Sequence, residues 1–175
     1  MTTTTQVHRI WIKAAPERIW AAIVDPEFNG KYGYAAASRY ELSQGGRFEQ
    51  FANDGMRAFA AQNKFPMPDV IADGEVIEAD PPRLLRQTWK LQMDPGTAAE
   101  PYSILTYSIE ESKTQPGTCK LTVTHELPES PKTAAMVAGS DEEGAGGGWA
   151  WILSDLKSLV ETGSGFNGQT DLEQP

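Results

Sequence analysis

Thr118-Cys119-Lys120-Leu121-Thr122-Val123-Thr124-His125-Glu126-Leu127 and, beyond a glycine-rich connection, Gly147-Gly148-Trp149-Ala150-Trp151-Ile152-Leu153-Ser154-Asp155-Leu156-Lys157-Ser158-Leu159-Val160-Glu161-Thr162 are the two stretches on which the fold turns. In the first, Cys119, Leu121, Val123, His125 and Leu127 alternate with Lys120, Thr122, Thr124 and Glu126. That is the pattern of an antiparallel strand with one buried face. In the second, Trp149, Ile152, Leu153, Leu156, Leu159 and Val160 recur at helical spacing and form one apolar stripe, and Gly163 supplies a stop. An amphipathic helix has to bury its stripe, and the apolar face of a sheet is the available partner. Where a curved sheet wraps such a helix without closing fully at its ends, the gap is a pocket.

Working outward, more strands precede the pair. Tyr102–Glu110 alternates through Leu105, Tyr107 and Ile109, and Leu84–Met93 through Leu85, Gln87, Trp89 and Leu91. Glu75–Ala79, Arg47–Ala52 and Tyr40–Leu42 are shorter strands, punctuated by Asp80-Pro81-Pro82, Asn53-Asp54-Gly55 and Gly45-Gly46. Val7–Ala14 reads as the first strand. Pro16 then opens a helix carrying Ile19, Trp20, Ile23 and Val24, Asp25-Pro26 ends it, and Asp25 can cap a second short helix ending near Gly30. Residues 56–69 read as irregular, either a lid over the pocket or an ordinary surface loop. Residues 132–138 can form a helical turn. The order is strand, two short helices, about six strands and a long helix, which is an α+β arrangement.

Composition sets bounds. The chain has 175 residues, enough for one domain with a real core, and 39% are hydrophobic. No apolar run approaches the ~18 residues of a membrane span. The polar start, Met1 to Gln6, has no signal-peptide pattern, so the expected address is cytoplasmic. A net charge of −9 without a cluster of Lys and Arg argues against nucleic acid and anionic membranes as partners. One cysteine, Cys119, allows no internal disulfide and no cysteine metal site. Two histidines, His8 and His125, far apart and without a carboxylate pattern, make no metal signature, so no metal and no cofactor is expected. Gly144-Ala145-Gly146-Gly147-Gly148 lacks the Lys-Ser/Thr of a phosphate loop and reads as a hinge before the long helix.

Several motifs in this order resemble the SRPBCC or START-like superfamily, and within it the heat-shock-protein-90 ATPase activator homologue group. They are Ala15-Pro16-Glu17-Arg18-Ile19-Trp20, Asp25-Pro26-Glu27, Gly45-Gly46-Arg47-Phe48, Gly74-Glu75-Val76, Asp80-Pro81-Pro82-Arg83-Leu84, Thr88-Trp89, Leu121–Glu126 and Gly147–Gly163. The likeness covers the chain nearly to Gly163. It implies a helix-grip fold, with a curved antiparallel sheet of about six to seven strands wrapped around the C-terminal helix. The chain reads as one domain over 1–163, and residues 164–175, polar and glycine-containing, read as a disordered tail. Where many members carry a tryptophan pair, this chain has Lys31-Tyr32-Gly33-Tyr34, so its pocket mouth is expected to differ in shape. Members bind lipids, hormones, polyketides or other apolar molecules, some are cyclases or aromatases, and the eukaryotic activators bind a chaperone. Fold alone does not choose among these.

The resemblance and the strand alternation together nominate Gln87, Trp89, Tyr107, Val123, His125, Trp149 and Leu153 as residues around a small apolar or aromatic ligand. No catalytic residue is assigned. His125 is the one candidate acid or base, and its competing reading is a core histidine satisfied by a hydrogen bond. Trp149 falls to core or pocket, and His8 to a solvated strand end. Trp151 lies about 200° around the helix from Trp149, among Ser154, Ser158 and Glu161. A tryptophan there covers a flanking loop or contacts a partner, whether a second copy or another protein. Three functions stay open: a non-catalytic ligand binder, a cyclase-type enzyme using His125, and a protein-interaction module.

Overall fold

The computed structural model describes residues 3–140 and 147–166. Its elements run β1 (Thr3–Ile12), α1 (Pro16–Val24), α2 (Pro26–Asn29), β2 (Ser38–Tyr40), β3 (Arg47–Phe51), α3 (Asp54–Asn63), β4 (Val70–Asp80), β5 (Leu84–Leu91), α4 (Pro95–Ala98), β6 (Ser103–Glu111), β7 (Cys119–Pro128), α5 (Pro131–Ala138) and α6 (Gly148–Thr162). The strands form one seven-stranded sheet in the order β1-β7-β6-β5-β4-β3-β2, with every neighbouring pair antiparallel. This is the α+β, helix-grip-like arrangement that the sequence predicts, with α1 and α2 following the first strand.

The core lies between the sheet and α6. Ile12, Val76, Leu85, Leu105, Ile109, Cys119, Leu121 and Val123 from the sheet meet Trp149, Leu153, Leu156 and Val160 from α6, and Ile19, Trp20 and Ile23 from α1 join them. Burial alternates along the whole of β7, as the strand pattern demands. Outside the sheet, Val7 and Trp11 of β1 remain exposed.

Residues 56–69 differ from the irregular stretch expected. Most of them belong to α3, whose start is capped by the Asn53 side chain accepting from Met56 N at 2.8 Å. Its composition carries little apolar periodicity and only Ala60 is buried, so the helix is set by its cap more than by a core-facing stripe. His8 also departs from its expected solvated place. It pairs with Val123 on the inward face of β1, and its Nε2 is enclosed.

Trp151 takes the loop role. Its indole Nε1 donates to Gly33 O at 3.3 Å, and its ring meets Phe166 edge-on with centroids 4.8 Å apart. Ser164 to Phe166, the start of the expected tail, therefore fold back against α6, Phe166 N donating to Asp155 Oδ1 at 2.7 Å. The remainder of that tail, and Gly144–Gly146 of the expected hinge, lie outside the described residues.

Candidate functional site

A cavity of about 290 Å³ opens between the concave face of the sheet, α6 and the segment 29–40. Trp89 and Leu91 of β5, Tyr107 of β6, and Trp149 and Ile152 of α6 form its walls. Tyr32, Tyr40 and Phe48 line the side of β2 and β3, and Met56, Met93 and Met136 also face it. The size sits at the low end for small-molecule sites, and the mixture of aromatic walls with a few polar groups is their usual chemistry.

Of the seven residues nominated from sequence, Trp89, Tyr107 and Trp149 line this space. The other four stand behind the wall: Gln87, Val123 and His125 are each fully buried, and Leu153 is 2% exposed. Strand alternation sets Gln87, Trp89, Tyr107, Val123 and His125 on the inward side, and helical spacing does the same for Trp149 and Leu153. Alternation cannot tell the row of the sheet that touches empty space from the row that touches α6.

His125 has both ring nitrogens engaged. Trp149 Nε1 donates to Nδ1 at 3.2 Å, and Nε2 lies 2.8 Å from Ser103 Oγ. An indole N–H can only donate, so Nδ1 is the acceptor and Nε2 carries the proton. Ser103 Oγ therefore accepts from His125 and passes its own proton to Trp89 O, at 2.8 Å. A one-way chain thus links the two tryptophans of the cavity wall through an imidazole and a hydroxyl. The rings of Trp89 and Trp149 both meet His125 edge-on, at 5.3 and 5.9 Å between centroids. Burial, and then the neighbouring His8, lower the His125 pKa to about 4, so the ring is neutral at pH 7. In this arrangement His125 sets the orientation of Trp149, and neither nitrogen is directed at the cavity.

Sequence reasoning missed the tyrosines other than Tyr107. Tyr32 donates to Ala22 O at 2.9 Å, while Tyr40 packs on Phe48 at 4.8 Å between centroids. All three phenols are held protonated. Burial raises the pKa of Tyr32, Tyr40 and Tyr107, and neighbouring Tyr107 adds to the rise at Tyr32 and Tyr40. Asn29 escaped notice too. Its amide donates to Ile23 O (3.1 Å) and Ser38 O (2.9 Å) and accepts from Ser38 N (2.8 Å), tying α2 to β2 at the mouth. Asp155 is a third omission, a fully buried carboxylate on the flank of the α6 stripe. Its Oδ2 accepts from Gly33 N at 2.8 Å, so α6 holds the tyrosine-bearing loop directly. The available signal was the Lys31-Tyr32-Gly33-Tyr34 departure, together with an acidic residue beside an apolar stripe.

Residues 13–161 match the family model described as activator of Hsp90 ATPase homolog 1-like protein. The chain belongs to this family. The activator homolog 1-like fold recurs in protein MLL2253 from Mesorhizobium loti, at 21% identity and a TM-score of 0.61, over 90% of this chain and 96% of that one. It recurs in PFC0360w, an HSP90 activator from Plasmodium falciparum, at 18% identity and a TM-score of 0.59, over 89% and 95%. The Aha1 dimer from Colwellia psychrerythraea matches at 18% identity and a TM-score of 0.58, over 93% and 99%. At these identities the likeness is one of fold. No curated protein matches the chain. Among the described residues of this family member, no group of His, Cys, Asp and Glu could hold a metal ion, and no helix is long and apolar enough to cross a membrane.

Proposed function

We propose that this chain binds a small apolar or aromatic molecule in the cavity between α6 and the concave sheet. The observation that carries the reading is an aromatic-walled space of about 290 Å³ whose lining, among the described residues, includes no Lys, Arg, Asp or Glu. Trp89, Tyr107 and Trp149 are the contact residues in this reading. Gln87, Val123, His125 and Leu153 support them from behind. Catalysis by His125 has less support, because its nitrogens serve Trp149 and Ser103. A thermal-shift and native-mass screen against fatty acids, aromatic polyketides, flavonoids and sterols tests the proposal. A bound ligand at a hundredfold excess over its Kd adds about 2.7 kcal/mol of stability. Met136→Trp, which narrows the mouth, should weaken that effect. A panel that leaves the melting temperature unchanged, on protein purified free of any bound molecule, defeats the reading.

A second reading, contact with a protein partner or a second copy, is favoured by Val7 and Trp11, which share the outer face of edge strand β1 and are 43% and 53% exposed. Related chains include an HSP90 activator and a dimer. Trp151, the contact residue suggested by sequence, is partly covered by Phe166. Sedimentation of the wild type beside Trp11→Ser checks this reading. A monomer in both cases removes self-association.

A further inference from the structure

We infer that the polar side of the cavity recognises a neutral carbonyl oxygen, so that the ligand class is an apolar one- or two-ring ketone, lactone or similar carbonyl compound and not a carboxylate. The inference rests on the ligand-binding reading above and narrows it.

Tyr32 gives its proton to Ala22 O, and the Asn29 amide is committed to Ile23 and Ser38. Gln50 Nε2 donates to Ala36 O at 3.2 Å. Tyr40 and Tyr107 face the same space; the Gln87 carboxamide exerts a hydrogen-bonding influence on the Tyr40 oxygen, and among the described residues neither phenol donates a hydrogen bond. The Tyr107 phenol is close enough to Tyr32 and Tyr40 to be felt electrostatically by both. Phenols held protonated by burial are donors, and donors enclosed by apolar walls call for an acceptor.

Gln87 points the same way independently. It is fully buried, and both its carboxamide nitrogen and oxygen lack a partner. It stands beside the Tyr40 phenol, close enough for a hydrogen-bonding influence that opposes the rise in that group's pKa, but short of a formed bond. When Tyr40 donates to an acceptor in the cavity, its oxygen becomes a better acceptor for the Gln87 N–H, and such chains strengthen one another. A ligand carbonyl therefore gives partners to Tyr40 and Gln87 together.

Charge excludes the anionic alternative. Among the described residues no cation lines the cavity, and the buried Asp155 carboxylate lies near enough to raise the Tyr32 pKa. A carboxylate would lose its water here and meet no counter-charge.

Three two-ring probes of similar shape separate the cases: benzophenone, which has the carbonyl; diphenylmethane, which lacks it; and diphenylacetate, which is charged. Calorimetric titration of the full chain should give benzophenone an affinity roughly tenfold above that of diphenylmethane, as two neutral hydrogen bonds would, and no measurable binding of diphenylacetate. The Tyr40→Phe/Tyr107→Phe double variant keeps the rings and should bring the benzophenone-to-diphenylmethane ratio close to one. Should the double variant not fold, Tyr107→Phe and the wild-type ratio decide. Equal wild-type affinities for benzophenone and diphenylmethane overturn the carbonyl assignment and leave the binding reading standing. Tightest binding by diphenylacetate also overturns it. Failure of all three probes to bind counts against the assignment and the binding reading alike.

Discussion

His125 shows how much one side chain can organise. It is fully buried, accepts from Trp149, donates to Ser103, and through Ser103 reaches the Trp89 carbonyl. Its pKa, lowered by burial to about 4 in the folded chain, returns to about 6.5 on unfolding. Below pH 6.5 the unfolded chain takes up a proton that the folded chain refuses. The stability held by neutral His125 is therefore complete above pH 6.5 and drains away as pH falls towards 4, by about 3 kcal/mol over that window. Urea unfolding between pH 7 and 4 should show this loss in the wild type and not in His125→Gln. Equal pH dependence in the two proteins would refute the assignment. Strand alternation in the sequence put His125 inward, but the partners that fix its tautomer come from β6 and α6, distant in sequence and invisible to a periodicity argument. The same limit hid Tyr40 and Asn29, whose roles depend on a loop folding back beneath α6.

Elements differ in how openly the sequence declares them. β7 and α6 are legible because their periods are clean, and α1 because Pro16 and Asp25-Pro26 bracket an apolar stripe. α3 is not, since only Ala60 is buried and the stretch beyond it contains Pro66 and Pro68. Gly74 explains a subtler feature of β4. A Cβ there would sit 1.9 Å from Thr88 O on β5, a backbone atom that cannot turn aside. Gly74→Ala should cost about 2–3 kcal/mol, read as a lowered urea midpoint, and a variant as stable as the wild type would show that β4 can shift freely. α5 carries Met136 and Val137 to the cavity and is held at its start by Glu100, whose carboxylate accepts from Lys132 N (2.8 Å), Thr133 N (2.9 Å) and Thr133 Oγ1 (2.6 Å). Desolvation works to raise the Glu100 pKa, but the bonds from Thr133 and Lys132 outweigh it and hold the carboxyl below its ordinary value. Glu100→Ala removes these acceptors and should cost about 1 kcal/mol. Amide exchange should quicken in the first turn of α5, and unchanged exchange there would deny Glu100 its anchoring role.

At the scale of the whole molecule, charge and fold act in the same pH range. The chain carries −9 at pH 7 and its isoelectric point is about 4.7. Repulsion between copies is therefore least where much of the stability held by neutral His125 has already been lost. Light scattering from a pH series should peak near 4.7, and a peak well away from that value would show that surface patches, not net charge, control association. The layering of sheet on helix followed from the order of the elements, because each amphipathic face had to find a partner. The cavity did not follow, since its volume is set by how far the sheet curves away from α6, a quantity no single strand encodes.

The pairing of β1 with β7 sets the order in which the chain can be finished. Thr3 lies opposite Pro128, and Ile12 opposite Cys119. β1 leaves the ribosome ahead of the other strands of this sheet and must wait, unpaired on either edge, until β7 has emerged, and α6 comes later still. The hairpins β3–β4, β4–β5 and β5–β6 join neighbours in the chain and can form while synthesis continues. Closure of β1 onto β7 is a long-range event that follows them, and such non-local contacts slow folding. Until that moment Ile10 and Ile12 have no strand partner in the nascent chain, and they form a surface that a holding chaperone would meet early.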